Sequence, residues 1–459
     1  MGDTLRATLR ARRQRLCERV AAPVLLWSGC APARNFSANR YPHRASSHFL
    51  YFAGLPLNDA VVRLEGGRLE LFLDDETPAG ALWHGARPTR DEFAAAIGAD
   101  AAYPLDALPA RSPDAATIAV QDARSLQQQC QILGREVAPA HAPDGPDREL
   151  AAAIVALRLV HDAEAIAALR ESAAITIAAH RAGMAVTPTA RTEAEVRAAI
   201  ERVILAGDAT LAYTSIVTVR GEVLHNGSYG NAIAPGDLLL ADVGAEIASG
   251  WASDVTRTWP VSGCFSPTQR AIYDVVLAAH DAAIAAARPG VEYRELHVLA
   301  ARILAAGLVD LGILKGHPET LVERDAHALF FPHGVGHLLG LDVHDMEDLG
   351  DLAGYAPGRE RSDRFGLGFL RLDRLLQAGN AVTIEPGFYQ VPALLKDPRR
   401  REQYADAINW ERLADFRDVR GIRIEDEVLI TTTGCEVLTA ELPTAAEAIE
   451  RLVGSAGAV

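Results

Sequence analysis

The chain lacks the cysteine pattern that staples a secreted domain. Its five cysteines, Cys17, Cys30, Cys130, Cys264 and Cys435, are odd in number and scattered, with no C-x-x-C. This excludes a disulfide framework and points to a reducing, cytoplasmic compartment. No apolar run of about 18 residues is free of charge, so no membrane span is expected. The first 20 residues have no apolar signal-peptide core; Leu5, Leu9, Leu16 and Val20 form one stripe among arginines, the mark of an amphipathic helix. There is no basic block either: 45 Lys and Arg against 60 Asp and Glu leave a formal net charge of −15, which argues against a nucleic-acid partner. No G-x-x-x-x-G-K-[ST] and no G-x-S-x-G occurs, and Gly334, Gly336 and Gly340 miss the G-x-G-x-x-G spacing. P-loop, serine-elbow and dinucleotide chemistries are thereby excluded.

What is present is ordinary soluble composition, 49% hydrophobic and 23% charged, over 459 residues, a length that favours two domains. Short strand-like runs at 24–27, 60–64, 69–73 and 118–120 alternate with helical patterns at 4–20 and 90–97, an α/β arrangement. Three prolines and a glycine in 138–146 read as a linker, giving domains at 1–145 and 146–459. Beyond it come a long helical region from Asp147, a helix at 192–206, strands at 215–219, 237–244 and 251–261, helices at 267–288 and 292–312, and last strands at 381–390 and 421–433. Helix pair, strands, helix pair, strands predicts a duplicated α+β unit.

Four carboxylates, Asp242, Asp254, Glu385 and Glu425, sit within or beside the apolar strand-like runs of this second half. Burying an ionised carboxylate costs several kcal/mol or more, so four of them require compensation. Divalent cations supply it most simply. Strand alternation puts Asp254 on one face with Thr256 and Thr258, and Arg423 on one face with Glu425 and Glu427. With His337 from His333-Gly-Val-Gly-His337, the set is oxygen-rich with one imidazole, the mix expected of manganese, cobalt, iron or zinc. The chain reads as a two-metal hydrolase.

His333 and His337 have the i, i+4 spacing of zinc-protease helices, but the glutamate of H-E-x-x-H is missing and the two glycines discourage a helix. His337 is the ligand candidate and His333 a neighbour. On spacing alone, His225 and His344 read as structural or surface histidines.

The stretches Leu240-Ala-Asp242-Val-Gly-Ala-Glu, Ala252-Ser-Asp254-Val-Thr-Arg-Thr, His333-Gly-Val-Gly-His337-Leu-Leu-Gly-Leu-Asp-Val-His344-Asp, Thr383-Ile-Glu385-Pro-Gly and Gly421-Ile-Arg-Ile-Glu425-Asp resemble the proline-specific metallopeptidases, aminopeptidase P and prolidase, of the pita-bread fold. Tyr41-Pro-His-Arg, Phe49-Leu-Tyr-Phe-Ala-Gly54 and Leu82-Trp83-His84-Gly85 are similar to the N-terminal domain of aminopeptidase P. The resemblance implies an α/β N-terminal domain and an α+β pita-bread catalytic domain, with duplicated helix-strand halves around a curved antiparallel sheet. It implies that Asp242 chelates one metal, that Asp254 and Glu425 bridge two, and that His337 and Glu385 complete the shells. Two divalent ions, Mn2+ first with Co2+ or Zn2+ as alternatives, would activate water and polarise the scissile carbonyl. Glu385 would relay the proton, and His333 or His344 would stabilise the oxyanion. His225, His333 and His344 match substrate-contacting histidines, Arg423 and Tyr389 match site residues, and Arg371 sits where prolidases bind a dipeptide carboxylate.

The activity implied is that of an Xaa-Pro aminopeptidase acting on proline-containing peptides, with Xaa-Pro dipeptidase as the alternative. A metal-free peptide-binding module or a creatinase-like enzyme ranks lower, because all five ligand positions are kept. A homodimer or homotetramer is implied, with Trp83 closing a neighbour's site. Two features depart from the family pattern. Asp242 and Asp254 lie twelve positions apart, one more than usual, so an extra loop residue or a bulge is expected near Ser249-Gly250. The interval from His225 to Asp242 is similar to aminopeptidase P, whereas the insertion between Glu385 and Glu425 and the Arg371 segment are similar to prolidase.

Overall fold

The computed structural model describes residues 2–454 and divides into two compact units, one running through Glu164 and taking in Met346–Ala353, the other formed by the remaining chain. Among the described residues no helix is long and apolar enough to cross a membrane.

The first unit is built on a mixed five-stranded sheet in the order Ala101–Tyr103, Arg68–Phe72, Val61–Glu65, Val24–Trp27, Ala116–Thr117, with parallel pairs at its two ends and antiparallel pairs between. Its first helix, Asp3–Cys17, buries the Leu9 and Leu16 stripe and carries Arg12 and Arg13 inward with it. Arg13 is accommodated because its guanidinium donates to the carbonyls of Phe52 and Ile97 at 2.8 Å each. The strand expected at 118–120 is not there. Pairing stops at Thr117, and the Gln129 side chain takes the place of a neighbouring strand, accepting from the Val120 amide and donating to the Ile118 carbonyl. The proline-rich stretch 138–146 lies inside this unit and leads into the helix Gly145–Arg158, with Pro146 in its first turn.

In the second unit, the helices Ala163–Val186 and Glu193–Ala206 precede an antiparallel sheet of Ile216–Thr218, Leu238–Val243 and Val255–Pro260. The helices Pro267–Ala286 and Tyr293–Asp310 precede the second set, Ala381–Ile384, Asp426–Ile430 and Cys435–Val437, with Gly387–Tyr389 paired to Gly421–Arg423. This is the duplicated arrangement expected. The halves meet where the Glu425 amide donates to the Thr256 carbonyl at 3.0 Å and the Thr258 hydroxyl donates to the Arg423 carbonyl at 3.1 Å. Gly221 and Gly421 permit that approach, since a Cβ on either would fall within 3.0 Å of the other's backbone.

The extra residue between Asp242 and Asp254 is in the loop and not in the ladder. Val243 pairs with Val255, Glu246 with Ala252, and the Ile247 amide donates to the Trp251 carbonyl, all in one register. Three residues, 248–250, therefore form the turn, and Gly250 at φ +90° closes it.

Candidate metal centre

The unbroken register places Asp242 opposite Thr256 and Asp254 opposite Gly244, so the two carboxylates share a face, one diagonal step apart. Glu385 follows directly on the strand Ala381–Ile384, and Glu425 lies between the two strands of the chain's end. The glycine-flanked segment is extended, as its composition suggests. Its backbone pairs with 381–385 through Thr383 amide to His337 carbonyl at 3.0 Å and Glu385 amide to Val335 carbonyl at 2.8 Å. Gly336 makes this possible, because at φ +152° a Cβ would lie 2.3 Å from both the Thr383 carbonyl oxygen and the Tyr293 hydroxyl.

These elements bring five expected ligands into one cluster. Asp242, Asp254 and Glu425 offer oxygens within 4.8 Å of one another; His337, Glu385 and Glu425 form a second such group, and Asp254, His337 and His344 a third. His344, expected as a substrate contact and oxyanion stabiliser and not as a ligand, thus stands within the donor cluster, its ring 4.2 Å from that of His337. His337 Nδ1 lies 2.9 Å from the Leu338 carbonyl, which can only accept, so Nδ1 carries the proton and Nε2 presents its lone pair. That lone pair faces Asp254 at 3.3 Å and Glu385 at 3.7 Å. Likewise the Tyr213 hydroxyl stands 2.5 Å from an oxygen of Asp242 and 2.5 Å from one of Asp254, and its single proton serves one at a time. Acceptors facing acceptors in a buried cluster call for cations, and the donor chemistry fits divalent ones.

The electrostatics agree. Burial and then repulsion from neighbouring carboxylates raise Asp254, Glu385 and Glu425 well above the usual carboxylate range. Beside them, Arg423 pairs with Asp242 at 2.5 Å and donates to the Thr256 hydroxyl at 3.0 Å, which in turn donates to Glu425 at 2.6 Å. Its other nitrogen donates to the Tyr389 hydroxyl at 2.9 Å, and Tyr389 is 2.9 Å from His333 Nε2. His333 Nδ1 donates to the Gly334 carbonyl at 2.8 Å, so both of its ring nitrogens are engaged. Burial and the nearby Arg423 charge push His333 down to about 3, which keeps it neutral. His225 is exposed at the edge of this cluster, where desolvation and then Arg423 lower its pKa. The charge of Arg371 is felt at both Glu385 and His225. Trp83 belongs to the other unit and is 79% exposed, on the helix Pro78–His84, which buries nothing.

Two contributors were not read from the sequence. Tyr213 precedes the first strand of the sheet with no spacing that marks it. Glu427 was placed on the Arg423–Glu425 face, but its carboxylate accepts from the Ser253 hydroxyl and, at 2.9 Å, from the Asp254 amide. It thereby fixes the backbone that carries Asp254.

Residues 167–432 match the model of metallopeptidase family M24, and residues 9–121 that of the aminopeptidase P N-terminal domain. A probable Xaa-Pro aminopeptidase of Verticillium alfalfae is 33% identical, over 90% of this chain and 88% of its own. Human Xaa-Pro dipeptidase is 32% identical over 95% of this chain and 91% of its own. Among solved structures, aminopeptidase PepP of Pseudomonas aeruginosa superposes with a TM-score of 0.79 at 30% identity, covering 98% of both chains. Aminopeptidase P of Escherichia coli with the inhibitor Pro-Leu gives 0.78 at 28% identity, again covering 98% of both. With its carboxylate and histidine cluster, its duplicated antiparallel halves and these matches over both units, the chain belongs to metallopeptidase family M24, with an aminopeptidase P N-terminal domain in front.

Proposed function

We propose that the chain is an Xaa-Pro aminopeptidase, hydrolysing the bond between an N-terminal residue and a following proline. The observation that carries this reading is the convergence of Asp242, Asp254, His337, Glu385 and Glu425, with the His337 lone pair turned toward the carboxylates. We assign these five as ligands of two divalent ions, Mn2+ first, with Co2+ or Zn2+ accepting the same donors. When bound, such ions supply an activated water and a polarised carbonyl.

The remaining chemistry falls to side chains. Glu385, at the edge of the cluster, is assigned to take a proton from the attacking water and return it to the departing nitrogen. We assign the oxyanion contact to His344 in preference to His333, because both His333 nitrogens are already committed. His333 and Tyr389 then act as a rigid wall, locked to Arg423. A prolyl amide has no N–H, so such a wall can select ring shape without satisfying a donor. His225, exposed at the edge, is assigned to the substrate.

One observation favours the dipeptidase as second reading. The Arg371 charge is felt at Glu385 and His225, which supports assigning this cation to the free carboxylate of a dipeptide. Hydrolysis of Ala-Pro and Ala-Pro-Ala by the metal-loaded protein decides between the two. Cleavage of the tripeptide at a rate comparable to or above the dipeptide's supports the aminopeptidase. Cleavage of the dipeptide alone, with Arg371→Ala admitting the tripeptide, would replace it by the second reading.

A further inference from the structure

Behind the catalytic cluster, a cavity of about 170 Å3 opens between the helices Tyr293–Asp310 and Pro318–Glu323, the turn Ala326–Leu329 and the loop carrying Arg364 and Gly366. His327 lines it, is 2% exposed, and has no hydrogen-bond partner at either ring nitrogen. Burial pushes its pKa down to about 3, so at neutral pH the ring holds one N–H donor and one lone pair, neither used by the protein. The Leu321 carbonyl approaches the ring outside hydrogen-bond geometry. Leaving a buried donor and acceptor unmade costs about 1–3 kcal/mol each, which marks the spot as built for something else. The ring is aimed at the space in front of Gly366, where a Cβ would stand 3.1 Å from His327 Nε2 and 2.7 Å from an Asp325 oxygen. His297, also buried on this cavity, donates through Nε2 to the Gly366 carbonyl at 2.8 Å and leaves Nδ1 without a partner.

The rim supplies charges of both signs. Asp325 is taken by Arg364, and Glu319 by His317. Arg302 and Glu323 line the cavity too, and among the described residues neither makes an ion pair, with each other or with anything else. Val298, Val322 and Leu367 give the wall an apolar face. One free cation, one free anion, an apolar wall and a buried imidazole match a small zwitterion with a side chain. A metal is the weaker fit, because no three donors here come within 4.8 Å of one another.

We propose that this cavity is a second small-molecule site that takes one free α-amino acid, its ammonium on Glu323, its carboxylate shared by Arg302 and the His327 N–H, and its side chain on the apolar wall of Val298, Val322 and Leu367. A free amino acid is also the leaving product of the reaction proposed above, so the meaning of the site as a product sensor rests on that reading. The cavity is one aromatic ring away from the wall of the catalytic cluster: His297 packs on Phe331 at 5.4 Å, and Phe331 meets His333 edge-on at 4.9 Å.

The test is calorimetric titration of the metal-loaded protein with L-leucine, and with N-acetyl-leucine and leucinamide, each of which lacks one of the two charges. Expected is one leucine per chain, with affinity at least about tenfold weaker for either analogue and in Arg302→Ala or Glu323→Gln. Both replaced residues are exposed and outside the catalytic cluster, so peptide hydrolysis without leucine should be unchanged in them. His327→Phe should abolish binding by filling the floor. No saturable binding up to about 10 mM, or binding that both exposed variants retain in full, would overturn the proposal. Since heat and not turnover is read, a protein that binds leucine yet cleaves no Xaa-Pro peptide would refute the proposed activity and leave the site standing.

Discussion

His337 turns Nε2 toward Asp254 at 3.3 Å while its Nδ1 proton is held by the Leu338 carbonyl. A lone pair facing a carboxylate is repulsive unless a cation or a proton stands between them. With Nδ1 bonded to the carbonyl, Nε2 is the atom free to bind a metal, so a divalent cation would satisfy both groups, and in its absence a proton must stand between them.

Metal removal should therefore reverse the pH dependence of this region. Without ions, Asp254, Glu385 and Glu425 have raised pKa values, through burial first and mutual repulsion second. The folded chain then holds protons that the unfolded chain has lost, so the stabilising protonation is complete below about pH 4, the unfolded carboxylate range, and is lost as pH rises through the raised values. Chelated protein should become less stable from pH 4 to 8 while the metal-loaded protein does not. Glu425→Gln should make the chelated protein more stable than chelated wild type at pH 7, yet lower kcat/KM of the loaded protein by about three orders of magnitude. Denaturant midpoints with and without chelator check this; equal pH slopes in the two forms would contradict it.

Tyr389 bonds the Arg423 guanidinium and faces His333 Nε2. Removing its hydroxyl in Tyr389→Phe leaves the five ligand residues untouched and loosens only the wall. The expected result is unchanged metal content with kcat lower by about ten- to a hundredfold, the range seen when support behind a site is removed. Loss of metal in that variant would instead place Tyr389 in the ligand cage.

Much of this was legible in the sequence for a simple reason. A charge inside a run such as Leu238-Leu-Leu-Ala-Asp242-Val has few uses, and four such charges have fewer, so the candidate ligands stand out. The helices expected at 90–97 and 267–288 are present, and Thr89 and Ser266 cap them. The same signals frame the helix Ala123–Leu133, which Asp122 caps and Gly134 closes at φ +63°. The strand at 118–120 was illegible because one glutamine side chain replaces its partner, and no local pattern announces that. Tyr213 was hidden for the opposite reason. Its role comes from two carboxylates 29 and 41 positions away, brought to it by the register alone.

Gly336 offers a test of the scaffold apart from the chemistry. In Gly336→Ala the new methyl would meet the Thr383 carbonyl oxygen and the Tyr293 hydroxyl at 2.3 Å, and the φ of +152° is one that side-chain residues rarely adopt. Both obstacles are fixed, the first by a strand and the second by its hydrogen bond to that same carbonyl at 2.6 Å. A loss of about 3 kcal/mol or more in unfolding free energy is expected, with metal retention falling because His337 is the next residue. A variant within about 0.5 kcal/mol of wild type would mean that the segment is not packed this way.

Acid stability depends on a separate pair in the first unit. His48 Nδ1 lies 3.0 Å from the Arg158 guanidinium, which can only donate, so Nε2 donates to Asp348 at 3.0 Å. Burial alone would raise Asp348, but His48 and the Arg158 charge behind it outweigh that and bring the carboxyl down to about 2. A depressed folded value means stability that is complete above the unfolded pKa near 4 and lost as pH falls toward 2. The side chain is 27% exposed, so solvent screening trims the contribution to about 2 kcal/mol at most. Asp348→Asn should cost that amount at pH 6, and its deficit should shrink steadily from pH 4 downward as wild type loses the same interaction. Urea midpoints of the two proteins between pH 6 and 3 measure it. A deficit that stays constant across that range would show that Asp348 contributes through its shape and not through its charge.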